Sequence, residues 1–212
     1  MTAAACRLYL ITPPLRLADL DDFAPRFVAA LRAGDVASAL ARLAPGAEGD
    51  AKRIVGRLAE ISNAADVALL VERDARLAAR AGADGAHVDG EQVAEAVASL
   101  HPDRIAGAGH LRLRDDAMSA GEAGADYVMF GEPRPDGWIP PLEETLERVE
   151  WWAEIFQTPC VAFAATLEAV EPLARAGADF VALGDAVWSA PSTETAVADA
   201  TARAKLGAGS RP

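Results

Sequence analysis

Ala123-Gly124-Ala125-Asp126-Tyr127-Val128-Met129-Phe130-Gly131-Glu132-Pro133 spells out a helix end, a buried strand and a loop. Gly124 supplies the left-handed turn that closes a helix, and Asp126 opens the next element. Tyr127 to Phe130 form a short apolar run of the kind covered on both faces. The phrase recurs twice. Ala81-Gly82-Ala83-Asp84 precedes Gly85-Ala86-His87-Val88, and Ala176-Gly177-Ala178-Asp179 precedes Phe180-Val181-Ala182-Leu183, at intervals of 42 and 53 residues. Each interval suits two strand–helix units of roughly 20–25 residues, the second with an insertion. A repeated helix-to-strand junction predicts an α/β fold of the (β/α)8 TIM-barrel type.

Working outward, the apolar runs predict strands at 7–11, 35–40, 67–71, 85–88, 104–108, 127–130, 159–164 and 180–183. Thr12-Pro13-Pro14 is expected to stop the first. Helical spacing of Phe23, Phe27, Val28 and Leu31 predicts a helix over 19–33, and Ile54, Leu58 and Ile61 carry another. Further helices are expected at 114–123, 142–156 and 193–206, and the Pro-rich stretch 133–141 accounts for the wider second interval. No linker divides the chain, so residues 1–206 read as a single barrel domain and 207–212 as a frayed tail.

The charge narrows the partners. With 32 acidic against 20 basic residues and a formal charge of −12, the chain is poorly matched to a phosphate backbone, so nucleic acid is not an expected partner. No apolar run approaches the ~20 residues that span a bilayer and no signal-peptide pattern opens the chain, which predicts a cytoplasmic protein without membrane contact. Trp151, Trp152, Ile155 and Phe156 fall on more than one helix face, which leaves a homo-oligomer open beside ordinary packing.

In barrels of this kind, function sits in the loops after the strands. That rule nominates Thr12, Glu72-Arg73-Asp74, Asp89-Gly90-Glu91, Gly109-His110, Gly131 to Asp136, Ala164-Ala165-Thr166 and Gly184-Asp185. His110 is the first candidate for acid–base work, because a neutral imidazole exchanges protons near physiological pH, with Glu132 as its acidic assistant. Gly107-Ala108-Gly109 before it is read as space for a ligand to approach the backbone. His87 is expected to fix the end of its strand.

Tyr9-Leu10-Ile11-Thr12, Ala83-Asp84-Gly85-Ala86-His87-Val88, Ala125 to Gly131 and Ala176 to Ala182 resemble landmarks of thiamine phosphate synthase and its thiazole tautomerase (TenI) relatives, in order along nearly the whole chain. The resemblance implies a (β/α)8 barrel of thiamine biosynthesis. The synthase joins a pyrimidine pyrophosphate to a thiazole phosphate with Mg²⁺; the tautomerase aromatises the thiazole without a metal.

Residue by residue, this chain departs from the synthase pattern. The strand-two Gln-x-Arg-x-Lys falls on Ala39, Ala41 and Leu43, with Arg42 one position away. The strand-three Asn-Asp-Arg falls on Glu72-Arg73-Asp74, and Gly-Gln-x-Asp after His87 becomes Asp89-Gly90-Glu91-Gln92. A hard cation needs anionic oxygens, so although Mg²⁺ is possible its inherited ligand positions are substituted, and no metal site or other cofactor is expected. The Thr-x-Thr-Lys phrase is replaced by Glu132 to Gly137, where Arg134 is left to meet an anion. The Gly-Gly phosphate loop becomes Ala164-Ala165, and Gly184-Asp185 places a carboxylate, expected to cap a helix, where phosphate would sit. Arg112 takes the register of the tautomerase histidine. The resulting expectation is a divergent barrel binding a small heteroaromatic or phosphorylated metabolite, with the Mg²⁺-dependent reaction weakened. The alternatives are a non-catalytic binding protein and a synthase with a rearranged site.

Overall fold

The computed structural model describes residues 6–210. Eight parallel strands close in sequence order: β1 Arg7–Leu15, β2 Val36–Leu43, β3 Ala68–Glu72, β4 Gly85–Asp89, β5 Ile105–Gly109, β6 Tyr127–Phe130, β7 Cys160–Ala164 and β8 Phe180–Leu183. Around them run α1 Leu20–Arg32, α2 Ala51–Ala64, α3 Ala75–Ala81, α4 Val93–Leu100, α5 Arg114–Glu122, α6 Leu142–Ile155, α7 Val170–Ala176, the short α8 Asp185–Trp188 and α9 Thr193–Ala208. The fold is a (β/α)8 TIM barrel. Among the described residues no helix is long and apolar enough to cross a membrane.

The repeated phrase does one job three times. Gly82, Gly124 and Gly177 adopt φ of +78°, +92° and +115°, conformations that cost a glycine little, and so turn the chain out of α3, α5 and α7. Two residues on, an aspartate opens the next strand. Asp84 accepts the N–H of Leu69 at 2.7 Å, Asp126 that of Ala106 at 2.7 Å and Asp179 that of Cys160 at 2.9 Å. Each carboxylate reaches sideways and satisfies a backbone donor near the start of the preceding strand, tying strand pairs together at the end of the barrel opposite the mouth.

Burial separates two layers. Side chains on one parity of the strands fill the barrel, with Tyr9, Ile11, Leu40, Leu70, Tyr127 and Met129 in contact there, and the other parity packs against the helices. Trp152 of α6 is buried in that outer shell, stacked on Phe156 at 4.1 Å between ring centroids, while Ile155 stays exposed.

Three boundaries differ most from the sequence expectation. β1 does not stop at Pro13 but continues to Leu15, with a register shift against β2 between Ile11 and Pro14. The Thr12 hydroxyl accepts the N–H of Arg42 at 3.0 Å, giving β2 a partner where the prolines interrupt the ladder. With β1 longer, β2 also runs on to Leu43. At the other end α9 extends through Gly207 and Ala208, both buried, so these residues are not a frayed tail. A side chain at Gly207 would meet the Glu171 carbonyl at 2.3 Å, so glycine lets α9 close on α7. The last residues of the expected tail, 211–212, lie outside the described residues.

Candidate active site

A cavity of about 740 Å³ opens beside the ends of β3 to β6, walled by α5, α6 and the loop after β6; Arg73, Asp89, His110, Arg112, Glu132 and Arg134 line it. At its floor the loop after β6 makes a sharp inward step. Gly131 has φ +83°, and a Cβ there would lie 2.7 Å from the Thr145 side chain, so both conformation and space require glycine. This step carries Glu132 back over β5, where its side chain is only 9% exposed.

Both Glu132 oxygens are held. Oε1 lies 2.9 Å from Nε2 of His87 and Oε2 accepts the backbone N–H of His110 at 2.7 Å. Burial alone would push this carboxyl up, but the facing charge and hydrogen bond of His87, and then those of His110, outweigh it and hold Glu132 below the usual carboxylate range. It is therefore an anion at neutral pH. Each carboxylate oxygen offers about two acceptor directions, so one on each remains for a ligand.

Behind Glu132 a line of polar groups enters the barrel. Nδ1 of His87 is 2.8 Å from the Tyr127 hydroxyl, which is 3.0 Å from the Tyr9 hydroxyl, and all three side chains are buried. Burial pushes both phenols well up, so they stay protonated. β5 makes the room. A Cβ on Gly107 would lie 2.0 Å from the Tyr127 ring, and one on Gly109 2.2 Å from Nε2 of His87 and 2.5 Å from Oε2 of Glu132. The space read from sequence as an approach for a ligand is thus filled by the protein itself.

Above Glu132, Arg73 and His110 adopt φ of +58° and +53°, left-handed conformations that cost a non-glycine residue on the order of 1 kcal/mol or more each. They meet over Asp89. Arg73 Nε is 3.0 Å from Asp89 Oδ1 and its Nη2 is 3.4 Å from Nε2 of His110. A guanidinium has donors only, so in this contact Nε2 of His110 is the acceptor and a neutral ring carries its proton on Nδ1. That nitrogen is buried 3.0 Å from Asp89 Oδ1, yet without hydrogen-bond alignment.

Of the residues nominated by sequence, Arg73, Asp89, Gly90, Glu91, His110, Arg112, Gly131, Glu132, Arg134 and Pro135 line this one cavity. Arg134 lies over the Trp138 ring at 4.0 Å. The remainder sit elsewhere on the mouth. Thr12 is bound to the Arg42 backbone, and Glu72 lies 3.2 Å from the Arg42 guanidinium. Ala164 is buried and Ala165 exposed at the end of β7. Gly184, not Asp185, is the N-cap of α8; Asp185 is the first residue of the helix and makes no cap bond, which corrects the expected aspartate cap. His87 has more than the strand-fixing role expected of it. The signal for it was present as inward glycines on β5, where a histidine on one neighbouring strand and a tyrosine on the other compete for the same gap. Among the described residues, no group of three or more His, Cys, Asp or Glu side chains is placed to hold a metal ion.

Against known families, residues 8–187 match the model described as thiamine monophosphate synthase (TMP-TENI). Thiamine-phosphate synthase of Rhodospirillum centenum is 43% identical over 199 residues, covering 92% of this chain and 95% of that protein. The protein of the same name from Hyphomonas neptunium is 41% identical over 195 residues, 86% of each chain. Among solved structures, thiamine phosphate pyrophosphorylase from Pyrococcus furiosus superposes with a TM-score of 0.76 at 23% identity, covering 95% of this chain and 96% of that one; at this identity the likeness speaks for the fold.

Proposed function

The chain belongs to the thiamine monophosphate synthase family, and from that membership we propose that it binds a phosphorylated heteroaromatic precursor of thiamine in the β3–β6 cavity and acts on it by metal-free proton transfer at Glu132. The observation that carries this reading is the Glu132 carboxylate: buried, ionised, with both oxygens oriented and facing the cavity. A base fixed in this way removes a proton from one ring carbon of a bound thiazole tautomer and returns it to another atom of the ring. The product is an isomer of the substrate, so the step needs no co-reactant. General acid–base catalysis of this kind contributes about 10²–10⁴ in rate. Arg112 and Arg134 at the rim supply positive charge for the phosphate.

The family implies Mg²⁺, but its expected carboxylate positions hold Arg73 and Gln92, and the carboxylates near them do not fit the ion. Asp74 is engaged as the N-cap of α3, accepting the Leu77 N–H at 2.7 Å, Asp89 faces the Arg73 guanidinium, and Glu72 faces that of Arg42. A hard divalent cation competes poorly for oxygens already neutralised by arginine. No step is therefore routed through a metal. A second reading, the synthase condensation itself with a rearranged site, is favoured by the 43% identity to the Rhodospirillum centenum protein.

One set of assays separates the two. In EDTA the purified chain is expected to isomerise a thiazole carboxylate phosphate. Glu132→Gln should slow this by about 10²–10⁴, and His110→Gln, which keeps the backbone N–H on Glu132, by less. Absence of turnover by the parent protein overturns the proposal. Condensation of pyrimidine pyrophosphate with thiazole phosphate, abolished by EDTA and restored by Mg²⁺, would establish the second reading in its place.

A further inference from the structure

Two phenols and an imidazole in the middle of a barrel are an expensive filling, since apolar side chains would occupy the volume with no hydrogen bond to satisfy. Their order is informative. A Glu132 anion can only accept, so Nε2 of His87 carries a proton; in the neutral ring Nδ1 is then a lone pair and the Tyr127 hydroxyl must donate to it. If His87 gains a second proton, Nδ1 becomes a donor, and Tyr127 must turn its oxygen to that nitrogen and its own proton to the Tyr9 oxygen. A phenol hydroxyl can do both because its hydrogen rotates and its oxygen accepts. No other side-chain type of that shape serves both states.

We infer that Tyr127, backed by Tyr9, is a positioning residue whose reversible hydroxyl lets His87 support Glu132 both as a neutral imidazole and as an imidazolium. The geometry behind this is the unbroken line of contacts at 3.0, 2.8 and 2.9 Å from Tyr9 to Glu132, housed in the gap left by Gly107 and Gly109. For a base that must take up a proton, the consequence is a second cation-forming group directly behind it, able to keep the carboxylate ionised as protons arrive. The charged and titratable groups around His87 are Glu132 and Tyr127 in contact, Tyr9 beyond Tyr127, His110 at 4.0 Å from Glu132 Oε1, and at the mouth Asp89 and Glu72 with their arginine partners.

The inference rests on the assignment of Glu132 as the base, but its test needs no turnover. In the full chain labelled with ¹⁵N-histidine, long-range proton–nitrogen spectra across pH 5 to 8 report the tautomer and protonation of His87. At the alkaline end the Nε2–H tautomer is expected. The midpoint for the second proton should be lower in Tyr127→Phe by about one pH unit, a tenfold weaker proton affinity, because phenylalanine leaves the Nδ1–H of the imidazolium buried and unpaired. Tyr9→Phe should shift it the same way by less, and carries the test if Tyr127→Phe does not fold. An unchanged midpoint in the variants, or the Nδ1–H tautomer in the parent, overturns the inference. A shifted midpoint in a protein with no isomerase activity would leave this device standing and remove only the proposed reaction.

Discussion

Glu132 shows how far one residue can be taken from sequence. Its place after β6 put it at the mouth, and the rule that barrel sites gather at the strand ends brought it together with His110 and Arg134. What the sequence did not disclose was its partner, because His87 lies 45 positions away and meets it across an intervening strand. The lowered carboxyl has a consequence for stability. A folded-state pKa below the unfolded one contributes stability that is present above the ordinary glutamate range and disappears as pH falls through the folded value. Glu132→Gln should therefore cost about 1–3 kcal/mol in urea unfolding at pH 7 and progressively less on acidification towards pH 3, as the parent loses the same charge. Parallel stability curves for the two proteins over that range would show that Glu132 is not held ionised by its neighbours.

At the scale of elements, the parts repeated in sequence were the parts read well. The junctions at Gly82, Gly124 and Gly177 announce themselves because left-handed geometry and a strand-opening carboxylate restrict residue choice, and β6 has the limits its apolar run predicts. β1 was read too short, since two prolines normally end a strand and the Thr12 hydroxyl, a contact across strands, bridges the interruption before backbone pairing resumes at Pro14. The aspartates make a graded prediction. Asp84→Ala and Asp179→Ala each strand a backbone N–H near the start of a strand and are expected to cost about 1–3 kcal/mol. Asp126, with its side chain 44% exposed and shared with His101, should cost less. Equilibrium denaturation of the three single variants checks the order, and an Asp126 variant as damaged as the other two would break the account.

For the whole molecule, the eight strand–helix units were legible because a barrel repeats its junctions, whereas the site was legible only along the rim. Its deeper half depends on which side chain fills a gap left by another strand, and no local pattern encodes that. The pair of glycines on β5 has a further consequence for how such a barrel can change over generations. With any side chain at position 109, His87 and Glu132 cannot meet as they do here, so the order of substitutions matters: vacancy first, occupants after. The dependence should appear as epistasis. Gly109→Ala is expected to destabilise the present chain by about 1–3 kcal/mol and to cost measurably less in a His87→Ala, Glu132→Ala background, so that a thermodynamic cycle among these variants yields a non-zero coupling. Additive losses would mean the gap and its occupants are independent. Coupling would make the route one-way in practice: once the imidazole and carboxylate are seated, the glycine can no longer be exchanged without first dismantling them.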